Sequence, residues 1–468
     1  MTWARKLLVV SLLASACVGR AKVESTTTGR PNILFLFADD QRADTIAALG
    51  NTVIKTPNLD RLVRSGVAFN RAYMQGSFIG ATCVPSRAML LSGQNLFHCD
   101  ETLMRTETWP EAFARAGYTT FVTGKWHNGE ASLVKSFQMA RSVFVGGMTN
   151  PMKADVRDLE SGKLSAPHQA PNHACATFAD EAIRFLQEHK QGPFFLYLPF
   201  DAPHDPYIVP QDFAASYVFV GVPLPSNYLP QHPWDNGEMT IRDELLLPWP
   251  RTPEQVRAML ADYYRYITYL DAQIGRVLDA LAASPFGANT IVVFSADSGV
   301  ACGSHGLIGK QNLYEYDSVR VPLIISGPGI PANKRSDAMC YLFDLLRTLG
   351  ELCGVEGPVS NEGVAFTQGL ANPMLPARDI LIFALQGLQR AVCTERWKLI
   401  RYPEVNKTQL FDLHSDPYET TNLAENPKLT TLVAELTATL ERGMRANGDS
   451  CSLTVSQAKL AGWSPPKH

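Results

Sequence analysis

Ile33-Leu34-Phe35-Leu36-Phe37 is an unbroken apolar run of strand length, with no polar residue to face water on either side. A strand built this way must be covered on both faces, as a central strand of a mainly parallel sheet is. Runs of the same kind recur at Thr119 to Val122, Phe194 to Leu198, Thr290 to Phe294 and Leu323 to Ile325. Helix-like stretches lie between them: Thr108 to Ala116, Ala176 to His189 and Pro253 to Ala283. The last sets Ile267, Leu270, Ile274, Val277, Leu278 and Leu281 at helical spacing. This alternation predicts an α/β fold with a mainly parallel central sheet flanked by crossover helices.

Past roughly Pro373 the pattern changes to short strands, Ile380 to Leu385, Gln389 to Cys393, Trp397 to Arg401 and Gln409 to Leu413, followed by a helix from Lys428 to Arg445. Strands closed by one helix predict a small antiparallel α+β subdomain over 373–468, after a large α/β domain over 31–372. Tyr217 to Arg251 is dense in Pro and Trp without periodicity and reads as a long surface excursion on the substrate side. At 46% apolar and 19% charged residues the chain has the composition of a globular enzyme. A net charge of -3 with no basic run excludes a nucleic-acid binder.

Arg5 and Lys6, the apolar run Leu7 to Leu13 and then Ala14-Ser15-Ala16 have the three regions of a secretory signal peptide over 1–16. The run is too short to span a bilayer. Residues 17–30, rich in Ser, Thr and Gly, read as a flexible tether. Cys17 directly after the cleavage site is similar to a bacterial lipoprotein cysteine. The chain is therefore expected to be exported, whether periplasmic, secreted or anchored to a membrane through an acylated Cys17. Of nine cysteines, seven remain beside Cys17 and Cys83; an odd number cannot all pair, and none shows zinc-ligand spacing. Asn406-Lys407-Thr408 matches a glycosylation sequon, a triplet frequent by chance.

The polar residues gather where strands end, which is where open α/β sheets bind ligands. Asp39-Asp40 follow the first apolar run and Asp297 follows Thr290 to Ala296. Three carboxylates at two strand ends repel one another unless a cation sits among them, and hard divalent cations such as calcium or magnesium choose oxygen ligands. Lys125 and His127 come after Thr119 to Val122, offering a positive charge for an anion and a ring that exchanges protons. His204 sits between Pro203 and Pro206 in a stiff turn, suited to protonating a leaving oxygen. His305 and Lys310 supply one more base and one more cation, Lys310 being the stronger candidate.

Cys83-Val84-Pro85-Ser86-Arg87 sets a cysteine, a proline and an arginine at the spacing Cys-x-Pro-x-Arg. Read plainly, it is a helix start, with Pro85 in the first turn and Ala88 to Leu91 packing inward. The same five residues resemble the maturation signal of type I sulfatases, in which the cysteine is oxidised to formylglycine (3-oxoalanine). Pro31-Asn32-Ile33-Leu34, Asp39-Asp40, Thr56 to Asp60, Gly124 to His127, Ala202 to Pro206, Gly306 to Lys310 with Tyr314-Glu315, Val321-Pro322-Leu323 and the closing Leu410 to Leu413, Asp416 to Glu419 and Asn422-Leu423 extend this likeness from Pro31 to about Asn426. On these residues the chain resembles the sulfatase branch of the alkaline-phosphatase superfamily, closest in look to the secreted iduronate-sulfatase and arylsulfatase kind.

The resemblance implies a sulfuric ester hydrolase that releases inorganic sulfate from sulfated small molecules or glycans. It implies that Asp39, Asp40 and Asp297 hold one divalent cation, calcium in preference to magnesium, together with an oxygen of modified Cys83. Arg87 would hold the formylglycine hydrate with Lys125 and His127 nearby, while His204 and Lys310 contact the sulfate and its bridging oxygen. A formylglycine-generating enzyme is the implied partner during maturation. One departure stands out. The family has Asn or His after the third aspartate as a further metal ligand, whereas here Ser298 follows Asp297, a shorter and weaker ligand. Two other readings stay open: a phosphate or phosphonate ester hydrolase using the same site, and a catalytically inactive glycan-binding relative with Ser298 as its lesion.

Overall fold

The computed structural model describes residues 29–214, 217, 221–373, 375 and 377–465. The expected signal peptide, Cys17 and the tether up to residue 28 lie outside the described residues. Among the described residues, no helix is long and apolar enough to cross a membrane.

Among the described residues a twelve-stranded sheet runs in the order Lys334–Ser336, Gly66–Tyr73, Arg320–Ser326, Thr290–Ala296, Asn32–Ala38, Phe194–Pro199, Thr119–Trp126, Met139–Val145, Asp155–Glu160 and Lys163–Leu164, with Cys340–Tyr341 also paired to Gly66–Tyr73 and His168–Gln169 to Asp155–Glu160. From Thr290–Ala296 across to Met139–Val145 the strands are parallel. Asn32–Ala38, the unbroken apolar run, lies in this parallel block and is buried along its whole length. Both flanks turn antiparallel: Arg320–Ser326 opposes Thr290–Ala296 and Gly66–Tyr73, and Asp155–Glu160 opposes Met139–Val145. A buried strand reads as apolar whichever way it runs, so the run at Leu323 to Ile325 marked a strand without fixing its direction.

The flanking helices form two packed groups. Pro57–Ser65 and Ala174–Glu188 lie against the 31-residue helix Pro253–Ala283, while Cys83–Ser92 lies against Trp109–Arg115 and Leu342–Cys353. The long helix starts where the sequence says it should: Pro253 takes the first position and Thr252 forms a reciprocal capping box with Gln255.

Leu381–Leu385, Gln389–Cys393, Trp397–Tyr402 and Lys407–Asp412 form a separate antiparallel sheet. Helix Thr430–Ala446 covers one face through Leu436, Leu440 and Met444, packed on Ile382, Val392, Leu399 and Leu410. A fifth strand comes from far away in the chain: Gly76–Ser77 pairs parallel with Leu381–Leu385. Gly76 has φ +124, and a Cβ there would lie 1.8 Å from the Ala384 carbonyl oxygen, so only glycine fits. The small sheet is thereby tied to the segment just ahead of Cys83.

Candidate active site

Ala38 pairs with Ala296 in the sheet register, so Asp39-Asp40 and Asp297-Ser298 leave adjacent parallel strands side by side at their carboxyl ends. The Asp40 backbone N–H donates to Asp297 Oδ1 at 3.0 Å. Asp40 has φ +66, a left-handed conformation uncommon for aspartate. The Tyr263 hydroxyl holds this turn, donating to the Asp40 carbonyl at 2.7 Å and accepting from the Arg42 N–H at 2.9 Å. Lys125 belongs to a strand rather than to the turn expected after Val122, because Thr119–Trp126 continues through it. Gly124 makes that possible: it has φ +126, its Cα lies against Pro199 where a Cβ would sit 1.9 Å from the carbonyl oxygen, and the register with Met139–Val145 shifts between Val122 and Gly124. Lys125, fully buried, pairs with Asp39 Oδ2.

Cys83 opens helix Cys83–Ser92 and is buried. Its Sγ lies 3.2 Å from Asp39 Oδ1, 3.8 Å from Asp40 Oδ1 and 3.0 Å from Lys310 Nζ. Arg87 follows one helical turn later, so the Cys-x-Pro-x-Arg spacing puts both side chains on one face. Arg87 Nε donates to Asp297 Oδ2 at 3.0 Å, its Nη2 stands 3.6 Å from Asp39 Oδ1, and the guanidinium lies over the Phe37 ring. Ser86 Oγ donates to the Asp297 carbonyl at 2.6 Å. Lys310 Nζ donates to both oxygens of Asp40, at 2.6 and 2.7 Å. His204 keeps Nδ1 2.8 Å from the Asp205 carbonyl, which makes Nδ1 the donor there and turns Nε2 toward Asp40 Oδ2, 3.7 Å away. Ser298 Oγ donates to Asp40 Oδ1 at 2.9 Å.

The structure thus brings Cys83, Arg87, Lys125, His204, Lys310, Asp39, Asp40, Asp297 and Ser298 into one cluster. His127 stands at its half-buried rim against Gly147. Burial, reinforced by Lys125, pushes the His127 ring down to about 3, so it is neutral at physiological pH. His305 lies elsewhere, stacked 3.7 Å from Tyr314 with Nε2 3.0 Å from Asn227 Nδ2. All eight described cysteines are free thiols.

Electrostatics divides the acids. Burial raises Asp39, but Lys125, His204, Arg87 and Lys310 outweigh it and hold its carboxyl well below the ordinary range. For Asp297, burial and the neighbouring Asp39 prevail over Arg87 and raise it. The Cys83 thiol is pushed well above its usual value by burial, then Asp297 and Asp39. Lys310 resists the downward pull of burial because Asp40, Cys83 and Asp39 surround it. Donor atoms of Asp39, Asp40, Asp297 and Cys83 all lie within 4.8 Å of one another. Three carboxylates converging this closely, with oxygen as the main donor type, fit a hard divalent cation.

Sequence spacing gave no notice of several residues around this cluster. The Tyr263 hydroxyl and Ser86 come from helix positions that read as ordinary core or surface. Gln41 follows Asp40 with its amide buried and, among the described residues, unpartnered. Asp243 is held below the usual carboxylate range, against burial, by Lys310, Gln311, Arg242 and His204. It lies in the aperiodic Tyr217 to Arg251 excursion, where only the density of Pro and Trp was informative.

Comparison with known proteins gives this geometry a family. Residues 31–355 match the Sulfatase family model, and residues 303–446 match the model for the C-terminal part of N-sulphoglucosamine sulphohydrolase. A sulfatase of Formosa agariphila is 27% identical over 481 residues, covering 94% of this chain and 92% of that protein. The N-acetylglucosamine-6-O-sulfatase of Bacteroides thetaiotaomicron is 26% identical over 521 residues, covering 95% and 91%. A protein solved in complex with its substrate D-glucosamine-2-N,6-O-disulfate shares the fold with a TM-score of 0.75 and 23% identity, covering 90% of this chain and 99% of that one. With two thirds of its length under one family model and an acidic cluster at the carboxyl ends of adjacent parallel strands, this chain belongs to the sulfatase family, the sulfuric ester hydrolases of the alkaline-phosphatase superfamily.

Proposed function

We propose that this protein is an exported enzyme that releases inorganic sulfate from sulfated glycans, with a formylglycine made from Cys83 as its nucleophile. The observation that carries this reading is the position of Cys83: the one cysteine in a Cys-x-Pro-x-Arg setting lies buried against Asp39, Asp40 and Lys310. An unmodified thiol is a poor nucleophile there, since burial and the carboxylates keep it protonated. An aldehyde hydrate at the same place offers an oxygen instead, and a formylglycine-generating enzyme would have to act on the chain before Cys83 is buried.

Asp39, Asp40 and Asp297 would hold the cation, calcium in preference to magnesium, with Ser298 orienting Asp40. When bound, it supplies a Lewis acid that neutralises negative charge on the sulfate oxygens. Lys125 and Lys310 add positive charge near residue 83, which sulfate transfer needs as charge shifts in the transition state. Arg87 fixes Asp297, which would take a proton from the attacking hydroxyl. His204, its Nε2 toward the cluster and Nδ1 anchored on Asp205, hands a proton to the leaving oxygen when doubly protonated. His127, neutral at the rim, is left as a hydrogen-bonding group for the substrate.

The glycan preference draws support from the relatives, one named for N-acetylglucosamine-6-O-sulfate and one solved with a glucosamine disulfate. The signal-like N-terminus supports export, with membrane attachment only through an acylated Cys17. The test uses enzyme matured to the aldehyde and compares an aryl sulfate, an aryl phosphate and 6-O-sulfated N-acetylglucosamine. Sulfate release that exceeds phosphate release and stops on chelation of divalent ions is expected. A preference for phosphate would move the protein to the ester class next door, and no release from any ester would leave a glycan binder.

A further inference from the structure

We propose that the Asp243-Glu244 turn is a clamp that positions Lys310, a role that rests on the sulfatase reading above. The Glu244 carboxylate is buried and reaches across to the loop that carries Lys310. It accepts the N–H of Ile308 at 3.1 Å and of Gly309 at 2.9 Å. Arg251, fully buried, pairs with the same carboxylate and also donates to the Glu244 carbonyl at 3.1 Å. On the other side of Lys310, Gln311 Nε2 donates to Asp243 Oδ2 at 3.0 Å and to the Gly80 carbonyl at 2.9 Å, while its Oε1 accepts the Lys310 N–H at 3.0 Å. Gly309 is packed into this turn: a Cβ there would stand 2.6 Å from Gln311 Oε1 and 2.9 Å from Asp243 Cβ.

The residues before and after Lys310 are therefore gripped by one turn, and Gln311 links that turn to Gly80, just ahead of Cys83. Among the described residues no hydrogen bond or ion pair joins Glu244 to Cys83, Asp39, Asp40 or Asp297, so it acts through the Lys310 loop. A buried ion pair is a poor way to gain stability, because desolvation offsets most of the attraction. It is a good way to fix two backbone N–H groups in a loop that has no strand or helix to satisfy them. Lysine is a flexible chain with three donors, and its place beside Asp40 and Cys83 depends on where its backbone stands. The segment from 221 to 251 is thus part of the catalytic framework as well as a surface excursion.

The experiment is a double-mutant cycle on the matured enzyme, with Glu244→Ala, Lys310→Ala and the double variant. It reads kcat/KM for an aryl sulfate and the dissociation constant of inorganic sulfate by calorimetry. Glu244→Ala alone is expected to lower kcat/KM about 10- to 100-fold, the scale of a small misplacement of a catalytic group. In the Lys310→Ala background the same change is expected to cost less than about twofold, since coupled residues are not additive. Glu244→Gln, which keeps a carbonyl acceptor for Ile308 and Gly309, should recover most of the loss; if the alanine variant does not fold, Gln311→Ala, which removes the bonds to Asp243 and to the Lys310 N–H, takes its place in the cycle with the same expected pattern. Losses that multiply in the double variant, or a folded Glu244→Ala protein with full activity, overturn the clamp. If matured wild type releases sulfate from no ester, the enzyme reading fails, and the inorganic-sulfate cycle still decides the clamp.

Discussion

The Ser298 hydroxyl donates to Asp40 Oδ1 at 2.9 Å, the same oxygen that accepts from Lys310. Serine at this position therefore orients a carboxylate of the proposed cation site. Ser298→Ala should weaken calcium binding about tenfold, the usual cost of losing an outer hydrogen bond to a ligand. Ser298→Asn, whose longer side chain offers a carbonyl oxygen, should bind calcium at least as tightly as the wild type. Isothermal titration of chelator-treated protein reads both, and equal affinity in all three proteins would remove Ser298 from the site.

Cys83→Ala should abolish turnover and leave the fold intact, since one small buried residue replaces another. In active wild-type enzyme the peptide spanning residue 83 should be lighter than its thiol form by about 18 Da, the balance for oxidising a thiol to an aldehyde. Mass spectrometry alongside the assay checks this. Full activity from enzyme carrying only the thiol would exclude formylglycine.

Arg87 and Asp297 form a buried pair at 2.9 Å with Asp39 beside them. Arg87→Ala removes the cation and leaves a buried carboxylate uncompensated, which costs about 3–5 kcal/mol in such sites. Arg87→Lys keeps the charge but not the planar fork that reaches two acids at once, so it should recover only part of that stability. Chemical denaturation of the metal-free proteins measures the difference. An alanine variant as stable as the wild type would show that the pair contributes nothing.

Glu419 supplies a pH signature from outside the Cys83 cluster. It lies buried 3.4 Å from Lys398 and accepts the N–H groups of Glu315 and Tyr316. Burial raises its carboxyl from 4.5 to about 7, with Lys398 opposing and Glu315 adding to the rise. A carboxyl raised in the folded state contributes stability that is complete below about pH 4.5 and is lost as pH climbs through about 7. The loss is about 3 kcal/mol, from roughly 1.4 kcal/mol per pH unit. Glu419→Gln should flatten that part of the stability curve. Parallel pH profiles for the two proteins would place the titration elsewhere.

The fold was legible where burial is uniform. Asn32–Ala38 and Pro253–Ala283 declare themselves because every residue of the one and one face of the other must avoid water. Gly66–Tyr73 and Met139–Val145 did not, because Asn70, Arg71, Arg141 and Ser142 interrupt their apolar patterns. The direction of Arg320–Ser326 was hidden because a buried strand carries no mark of polarity. At the site, adjacent acids and the Cys-x-Pro-x-Arg spacing are local patterns that survive in one dimension. Glu244, Asp243 and Tyr263 reach the cluster only through tertiary contact, and no local spacing distinguishes them from other acids and tyrosines. His305, offered beside Lys310 by proximity in sequence, is drawn away by stacking on Tyr314.

The strand Gly76–Ser77 has a consequence for how this protein is made. Its pairing partner, Leu381–Leu385, is synthesised roughly 300 residues after Cys83, which at about 5–20 residues per second takes tens of seconds on the ribosome. Until then the strand Gly76–Ser77 lacks the partner it pairs with in the small sheet. If Cys83 is the residue converted to formylglycine, the late arrival of this sheet lengthens the interval in which conversion can occur.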